Sequence, residues 1–426
     1  MNVFQELKDR GFCYQGTDEA VIEEMLNNGK VKFYVGFDPT GNSLHVGHLL
    51  PVMAMRLLQK AGHVPIVLVG GATARIGDPS GKQTARPMMT IDEINHNVEC
   101  LKSQLARFIK TENGEAYFVN NADWLCKVGY IDMLREVGTI FSVNRMLTQE
   151  SVKMRLENGL SFLEFNYSIL QAYDFMTLNK EYDCQLQLGG QDQWGNMVAG
   201  TELTRRKNGK TVQCMTIPLL LDANGMKFGK TSGGKNVWLD TERTPVFDYY
   251  QFWRNCDDSQ VRKLLLYFSN LPVEEINALT AEGANINRAK EILACEATLL
   301  AHGEAAAREA FLAAGSKFGF ADPDGKVATT CAIASMAGAN VAALVPEATL
   351  GEEDFTDGAI LIAKALVVAG LCKSNSDGRR LIQGGAVAIN DQKVTNANAV
   401  LTLEEVKANE LTIRAGKKNF RRLVLK

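Results

Sequence analysis

Between Val31 and His48 the chain changes character twice in a short span. Residues 31–37 are apolar, β-branched and aromatic, the composition of a buried strand. Asp38, Pro39, Gly41, Asn42 and Ser43 break that run into a loop. From Leu44 an apolar series (Leu44, Leu49, Leu50, Val52, Met53, Leu57, Leu58) predicts a helix that ends before Gly62. A strand, a glycine-containing turn and a helix start are what an α/β sheet uses to hold an anion. The first N–H groups and the positive dipole end of the helix point at it. His45 and His48 stand on that first turn. The whole chain has five histidines, so two of them here argue against a chance surface turn. A zinc site is the weaker alternative, because no third ligand lies at suitable spacing; no metal site is expected.

Residues 64–69 predict a second buried strand, which makes strand–helix–strand a parallel unit with a right-handed crossover. The segment after it, Gly70-Gly71-Ala-Thr73-Ala-Arg-Ile-Gly77-Asp78-Pro-Ser-Gly81-Lys82, falls at the carboxyl edge of the sheet, where ligands bind. It is not a Walker loop: Ile76 stands at the first glycine position and Gln83 follows the lysine. Lys82 and Arg86 are nonetheless cations beside the expected anion. Residues 90–160 read as helices (92–110, 131–137 and 143–157) around a short strand at 117–120, an apolar excursion suited to a subunit interface.

Tyr167, Gln171 and Asp174 then recur at helical spacing in an otherwise apolar or small-residue stretch. Buried without partners, such groups cost roughly 1–3 kcal/mol each, so a polar ligand or water must meet them. A further strand after Asp183 runs into Gly189-Gly190-Gln-Asp192-Gln193-Trp-Gly-Asn196, again a carboxylate at a strand end. Another strand, over 211–221, leads to Asp222-Ala-Asn-Gly225-Met-Lys227-Phe-Gly229-Lys230-Thr231. That is one residue short of a Walker loop, and its two lysines suit a loop that brings cations to a phosphate chain.

With 426 residues, 46% of them apolar and 22% charged, the chain has the makings of a multi-domain globular protein. Its nine cysteines are odd in number and scattered without Cys-x-x-Cys, which argues for a reducing compartment. The polar N-terminus does not read as a signal peptide, and no apolar run is long enough for a membrane span. A cytoplasmic location is expected. Net charge is −3, yet from Leu411 on the chain carries Arg414, Lys417, Lys418, Arg421, Arg422 and Lys426 with no acid. Together with Arg379 and Arg380 they predict a local phosphate-binding face.

Taken in order, His45-Val-Gly-His48 and Lys227-Phe-Gly-Lys230-Thr231 resemble the two motifs of the class I aminoacyl-tRNA synthetases. Tyr34-Val-Gly36-Phe-Asp38-Pro-Thr40, the Asp78 loop, the Tyr167–Gln171–Asp174 stripe and Gly190-Gln-Asp192-Gln193 narrow the resemblance to the bacterial tyrosyl-tRNA synthetase family. That resemblance implies a tyrosine–tRNA ligase that uses ATP, with Mg²⁺ accompanying the nucleotide, and a homodimer. Tyr34 and Asp174 would read the substrate phenol, Asp78, Tyr167 and Gln171 its ammonium, and Gln193 its carboxyl end. Asp192 would bind the ATP ribose, and Gly36, Asp38, Thr40, His45 and His48 the rest of the nucleotide. Lys82, Arg86, Lys227, Lys230 and Thr231 would close on the pyrophosphate.

The implied architecture is α/β. A Rossmann-like parallel-sheet catalytic domain covers 1–222, with a helical insertion near 120–160. The lysine loop and a helical anticodon-binding domain span 223–320, a linker spans 321–356, and a small α+β RNA-binding module spans 357–426, with helices at 360–369 and 376–383 and a hairpin at 384–394. Three rivals remain at this point: an ATP-using kinase or nucleotidyltransferase, an RNA-binding protein with a relic nucleotide fold, and a tryptophanyl enzyme. The first leaves the basic C-terminal module unexplained, and the third would bury Tyr34 and Asp174 without a phenol to share.

Overall fold

Five short strands lie parallel at the heart of the first of two units. They are seen in a computed structural model that describes residues 2–80, 88–157, 159–223, 225–226, 228–230, 234–336, 347–390, 392–408, 411–416 and 419–426. The strands of this sheet are β1 (Gln15–Gly16), β2 (Lys32–Phe37), β3 (Val64–Val69), β4 (Tyr117–Asn120), β5 (Leu186–Gly190) and β6 (Gln213–Ile217). They are ordered β1-β6-β5-β2-β3-β4, with β1 antiparallel at one edge. Every residue of β3 is buried, which is why its apolar run is unbroken: a central parallel strand is covered on both faces.

The chain lays β2, β3 and β4 outward in one direction, then returns to place β5 on the other side of β2. The order therefore reverses between β2 and β5, and a crevice opens at their carboxyl ends. Register at that reversal pairs Tyr34 with Gln187. The helix Tyr167–Tyr182 stops at Asp183, which turns left-handed at φ 56°, and the chain passes directly into β5.

The predicted helix start at Leu44 is corrected in detail. A single 3₁₀ turn, Val46–His48, precedes the α-helix Leu49–Lys60, and His45 caps it. Within 90–160 the α-helices are Ile91–Leu105, Ala122–Leu125, Tyr130–Asp132, Val143–Leu147 and Glu150–Leu156, with a π-helical turn at Met133–Val137.

The first unit comprises Met1–Pro245 with Asp257–Ile276, and the second Val246–Cys256 with Asn277–Lys426. The described residues between 223 and 245 thus group with the first unit, whereas a boundary at 222 joined them to the helical part. In the second unit the helices Val246–Arg254, Ile286–His302 and Glu304–Phe318 enclose a buried ionic cluster. Glu291 takes Arg288 at 3.2 Å and Arg254 at 3.4 Å, and its carboxyl is pushed up by burial.

The C-terminal module begins earlier than the sequence suggested. Its strands are β7 (Glu347–Leu350), β8 (Ala359–Leu361), β9 (Val387–Ile389), β10 (Gln392–Lys393), β11 (Val400–Thr402), β12 (Leu411–Ala415) and β13 (Asn419–Leu425). Strand β7 lies inside the expected linker, where the short helix Ile333–Met336 also forms, and it pairs in parallel with β13. The sheet order is β10-β9-β12-β13-β7, over a core that includes Leu350, Ile362, Leu366, Ile382, Val387 and Ile413. The helix expected from Ile360 is preceded by β8 and runs Ile362–Val368.

Candidate active site

A cavity of about 330 Å³ occupies the crevice between β2 and β5. It is lined by Tyr34, Gly36, Asp38, Thr40, His48, Asp78, Tyr167, Gln171, Asp174, Asp192 and Gln193, so eleven positions singled out in the sequence converge on one hollow. Gly36 is the one exposed residue of β2, and its missing side chain leaves backbone as the cavity wall. His45 is not in the lining but stacks on His48, ring centroids 3.9 Å apart. Lys230 is exposed and also outside the lining, bridged through its backbone to Asn236. Lys82, Arg86, Lys227 and Thr231 lie outside the described residues, as do Lys417 and Lys418.

At the floor, Asp174 is 2% exposed and Tyr34 1%. Asp174 accepts from Asn121 Nδ2 at 3.0 Å on one oxygen and from Trp124 Nε1 at 2.8 Å on the other. Burial pushes its carboxyl up to about 7, the two donors pull against that, and the charge of Asp38 adds to it. The Tyr34 phenol is held far above its ordinary value by burial and by Asp174, so it stays protonated and able to donate. Its hydroxyl has no hydrogen-bond partner, and neither has the side-chain oxygen of Gln187, its register neighbour. A buried polar atom left unmet costs roughly 1–3 kcal/mol, so both mark where a ligand's polar end belongs.

Higher in the cavity, Asp38 accepts from Thr73 Oγ1 at 2.7 Å and from the Tyr167 hydroxyl at 2.9 Å. Asn121 also donates to Thr73 Oγ1 at 3.0 Å, so a chain of hydrogen bonds joins Trp124, Asp174, Asn121, Thr73, Asp38 and Tyr167. Gly70 makes room for it: a Cβ there would fall 2.2 Å from Asp38 Oδ1. Asp78 accepts from Gln193 Nε2 at 2.7 Å and from the Ser80 N–H at 3.0 Å. Four aspartates, Asp38, Asp78, Asp174 and Asp192, line one small hollow, an environment that attracts an ammonium group and needs added cations before it takes phosphates.

The histidines are arranged differently from the expected anion cradle. His45 Nδ1 accepts from the Gly47 N–H and His48 Nδ1 accepts from the His45 N–H, both at 3.1 Å. The imidazoles therefore cap the turn themselves, and each ring carries its proton on Nε2, where it is a donor.

Thr73, Asn121, Trp124 and Gln187 were missed by the sequence reading. Asn121 follows directly on β4, and the strand-end rule that flagged Asp38 and Asp192 flags it equally well. Gln187 sits within a strand and carries no local signal.

In the C-terminal module, Arg379 and Arg380 are exposed on the helix Asn375–Gln383, with Arg380 paired to Asp377. Arg422 lies opposite Thr412, and Arg421 opposite the buried Ile413. Alternation along a strand puts Arg414 and Arg422 on one face and Arg421 on the other, so the basic tail is not a single face.

Comparison with known proteins gives the family. The family model "tRNA synthetases class I (W and Y)" matches residues 26–318, and "Tyrosine--tRNA ligase SYY-like C-terminal domain" matches residues 341–423. The tyrosine–tRNA ligase of Clostridium botulinum (strain Hall) is 47% identical over 425 residues, spanning 100% of this chain and 99% of that protein. Its Clostridium tetani counterpart is 46% identical with the same coverage. Among solved structures, a C-terminally truncated Aspergillus nidulans mitochondrial tyrosyl-tRNA synthetase superposes with a TM-score of 0.67 at 28% identity. It covers 74% of this chain and 94% of its own. A tyrosyl-tRNA synthetase from Archaeoglobus fulgidus, at 18% identity and a TM-score of 0.57, shares the fold over 73% of this chain and 100% of its own. The chain belongs to the class I aminoacyl-tRNA synthetases of the tryptophan and tyrosine group, as a member of the tyrosine–tRNA ligases.

Proposed function

We propose that the cavity activates tyrosine with ATP and that its residues divide the work by depth. The observation that carries this reading is the buried Asp174, held by two donors beside an unmet Tyr34 hydroxyl. A phenol entering there donates to the Asp174 carboxylate and accepts from Tyr34. Phenylalanine would leave the Tyr34 hydroxyl unmet and give Asp174 no donor beyond Asn121 and Trp124, which disfavours it. Asp78, Tyr167 and Gln171 take the ammonium, and Gln193, bonded to Asp78, lies towards the carboxyl end. Asp192 takes the ATP ribose. Thr40 and the Nε2–H donors of His45 and His48 meet the phosphates over the backbone at Gly36. Asp38 orients Tyr167 through their hydrogen bond.

In the first step a carboxylate oxygen of tyrosine bonds to the α-phosphorus while the bond to pyrophosphate breaks. The carboxylate is already a nucleophile, so no strong base is required. Catalysis is positioning plus stabilisation of charge gathering on the phosphates, the task of Lys230 and, beyond the described residues, Lys82, Arg86, Lys227 and Thr231. In the second step a terminal ribose hydroxyl of tRNA attacks the tyrosyl carbonyl and AMP leaves. Magnesium does not fit a cage built by this chain. Among the described residues no group of His, Cys, Asp and Glu is set to hold an ion, and the cavity carboxylates accept hydrogen bonds from protein donors. It belongs with ATP as part of the substrate.

ATP–pyrophosphate exchange, run in turn with each amino acid, tests the reading. Exchange is expected with tyrosine alone; exchange without any amino acid, or with tryptophan instead, would overturn it. A homodimer is supported by the apolar side chains that the insertion exposes, Tyr130, Ile131, Leu134 and Val143 among them. The cytoplasm, where ATP and tRNA meet, is the compartment that fits. Among the described residues no helix is long and apolar enough to cross a membrane.

The C-terminal module, with Arg379, Arg380, Arg414, Arg421 and Arg422, is assigned to tRNA. Ending the chain before Glu347 removes it whole, whereas a cut at 357 would leave β7 without its partner strand. The shortened enzyme should form adenylate at the full rate and charge tRNA about tenfold or more slowly at limiting tRNA. Unchanged charging would refute the assignment.

A further inference from the structure

Beyond the lysine loop the chain returns to the histidines and binds to them. The Val46 N–H donates to Val237 O at 3.0 Å and the Leu239 N–H to Leu44 O at 2.9 Å. His45 and Trp238 are thereby opposed across an antiparallel bridge, in the position where facing side chains come closest. Their rings meet edge to face, centroids 5.9 Å apart, while the other neighbour of His45 is the stacked ring of His48. Over the Trp238 ring lies Arg243, its Cζ 3.5 Å from the centroid. Arg243 is itself anchored, its Nη1 donating to Asn42 Oδ1 at 2.9 Å.

The turn that carries Arg243 is tied down as well. The Trp238 N–H donates to Thr244 Oγ1 at 3.0 Å, Asp240 Oδ1 accepts from the Glu242 N–H at 2.8 Å, and the Asp240 N–H reaches Ser43 Oγ at 3.2 Å. In the other direction, the Val237 N–H donates to Gly229 O at 2.9 Å, and Lys230 bridges Asn236. Gly229, at φ 110°, could not carry a side chain there, since a Cβ would fall 2.9 Å from Val46 Cγ2. Guanidinium, indole and two imidazoles thus form one continuous series of contacts, stacked at both ends and edge to face between Trp238 and His45.

We infer that Trp238 is a positioning residue for adenylate formation: braced by Arg243, it fixes the His45 ring and, through it, His48, and it joins the Lys230–Asn236 pairing to the histidine turn. This rests on the assignment of His45 and His48 to ATP made above. Trp238 is not in the cavity lining, and its role is exerted through the His45 ring.

Single-turnover adenylate formation and the KM for tyrosine, measured on the full chain, test it. Trp238→Leu should slow adenylate formation about tenfold and leave the tyrosine KM within about twofold. In a His45→Asn background the same substitution should cost less than about twofold, because the ring it positions is gone. Trp238→Phe should recover part of the loss, and Arg243→Gln should show a smaller loss that also vanishes in the His45→Asn background. Those two variants carry the test if Trp238→Leu fails to fold. Equal losses with and without His45, or a tyrosine KM that rises in step with the lost rate, would overturn the inference. A damaging His45→Asn beside a harmless Trp238→Leu would overturn it alone. A harmless His45→Asn would overturn the ATP assignment and this inference together.

Discussion

Asp174→Ala should all but abolish tyrosine activation, lowering kcat/KM in pyrophosphate exchange by about 10²- to 10³-fold. The substrate phenol loses a charge-assisted hydrogen bond and stays buried without an acceptor, roughly 2–4 kcal/mol against the bound state. The empty variant suffers too, since Asn121 Nδ2 and Trp124 Nε1 lose their shared acceptor, and its Tm should fall. Activity retained in Asp174→Ala would remove the phenol-reading role.

The same carboxyl gives a signed pH dependence. Burial raises it from 3.8 to about 7. A phenol that donates to it favours the ionised form, so tyrosine affinity should strengthen as pH rises through about 7. Below that point binding should release a proton, visible as a buffer-dependent enthalpy in calorimetry. Stability without ligand runs the other way. A raised carboxyl contributes fully below its ordinary value of 3.8, and that contribution is lost as pH climbs through about 7. Asp174→Asn should flatten both profiles; tyrosine affinity equally strong on both sides of that pH in the parent chain would contradict the assignment.

Lys230→Ala should slow adenylate formation by about 10²- to 10³-fold while the tyrosine KM barely moves, the usual loss when one group stabilising transition-state charge is removed. Lys230 is exposed and absent from the cavity wall, so tyrosine can bind without meeting it. Its ammonium is useful only against the phosphate chain, where charge accumulates as pyrophosphate departs. Pre-steady-state rates separate the two effects, and matching losses in binding and in rate would show that the lysine is not selective for the transition state.

Much of this site could be read from the chain because its signals are local. The unbroken apolar run of β3 announces a strand covered on both faces, and Tyr167, Gln171 and Asp174 announce a polar ridge by helical spacing. The three do meet the cavity, two of them buried. What escaped depends on partners far away in sequence. Nothing near Asp174 indicates that Asn121 and Trp124 hold it, and nothing near Gln187 indicates that it pairs with Tyr34. Strand β7 was read as linker because only its distant partner β13 makes it a strand. The capping histidines escaped for a chemical reason: a neutral imidazole accepts at Nδ1 as Ser or Asp would, a role that residue statistics at helix starts do not suggest. The split of Arg421 from Arg422 was legible, since neighbours in a strand cannot share a face.

Strand β13 lies in the interior of its sheet, between β12 and β7, although it is made after both. While the protein is being synthesised, β7 emerges early and must wait, its hydrogen-bonding edge open, until translation has passed Leu425. The module therefore closes in a single late event, and a nascent chain that stops short of it presents an open edge to chaperones or to other chains.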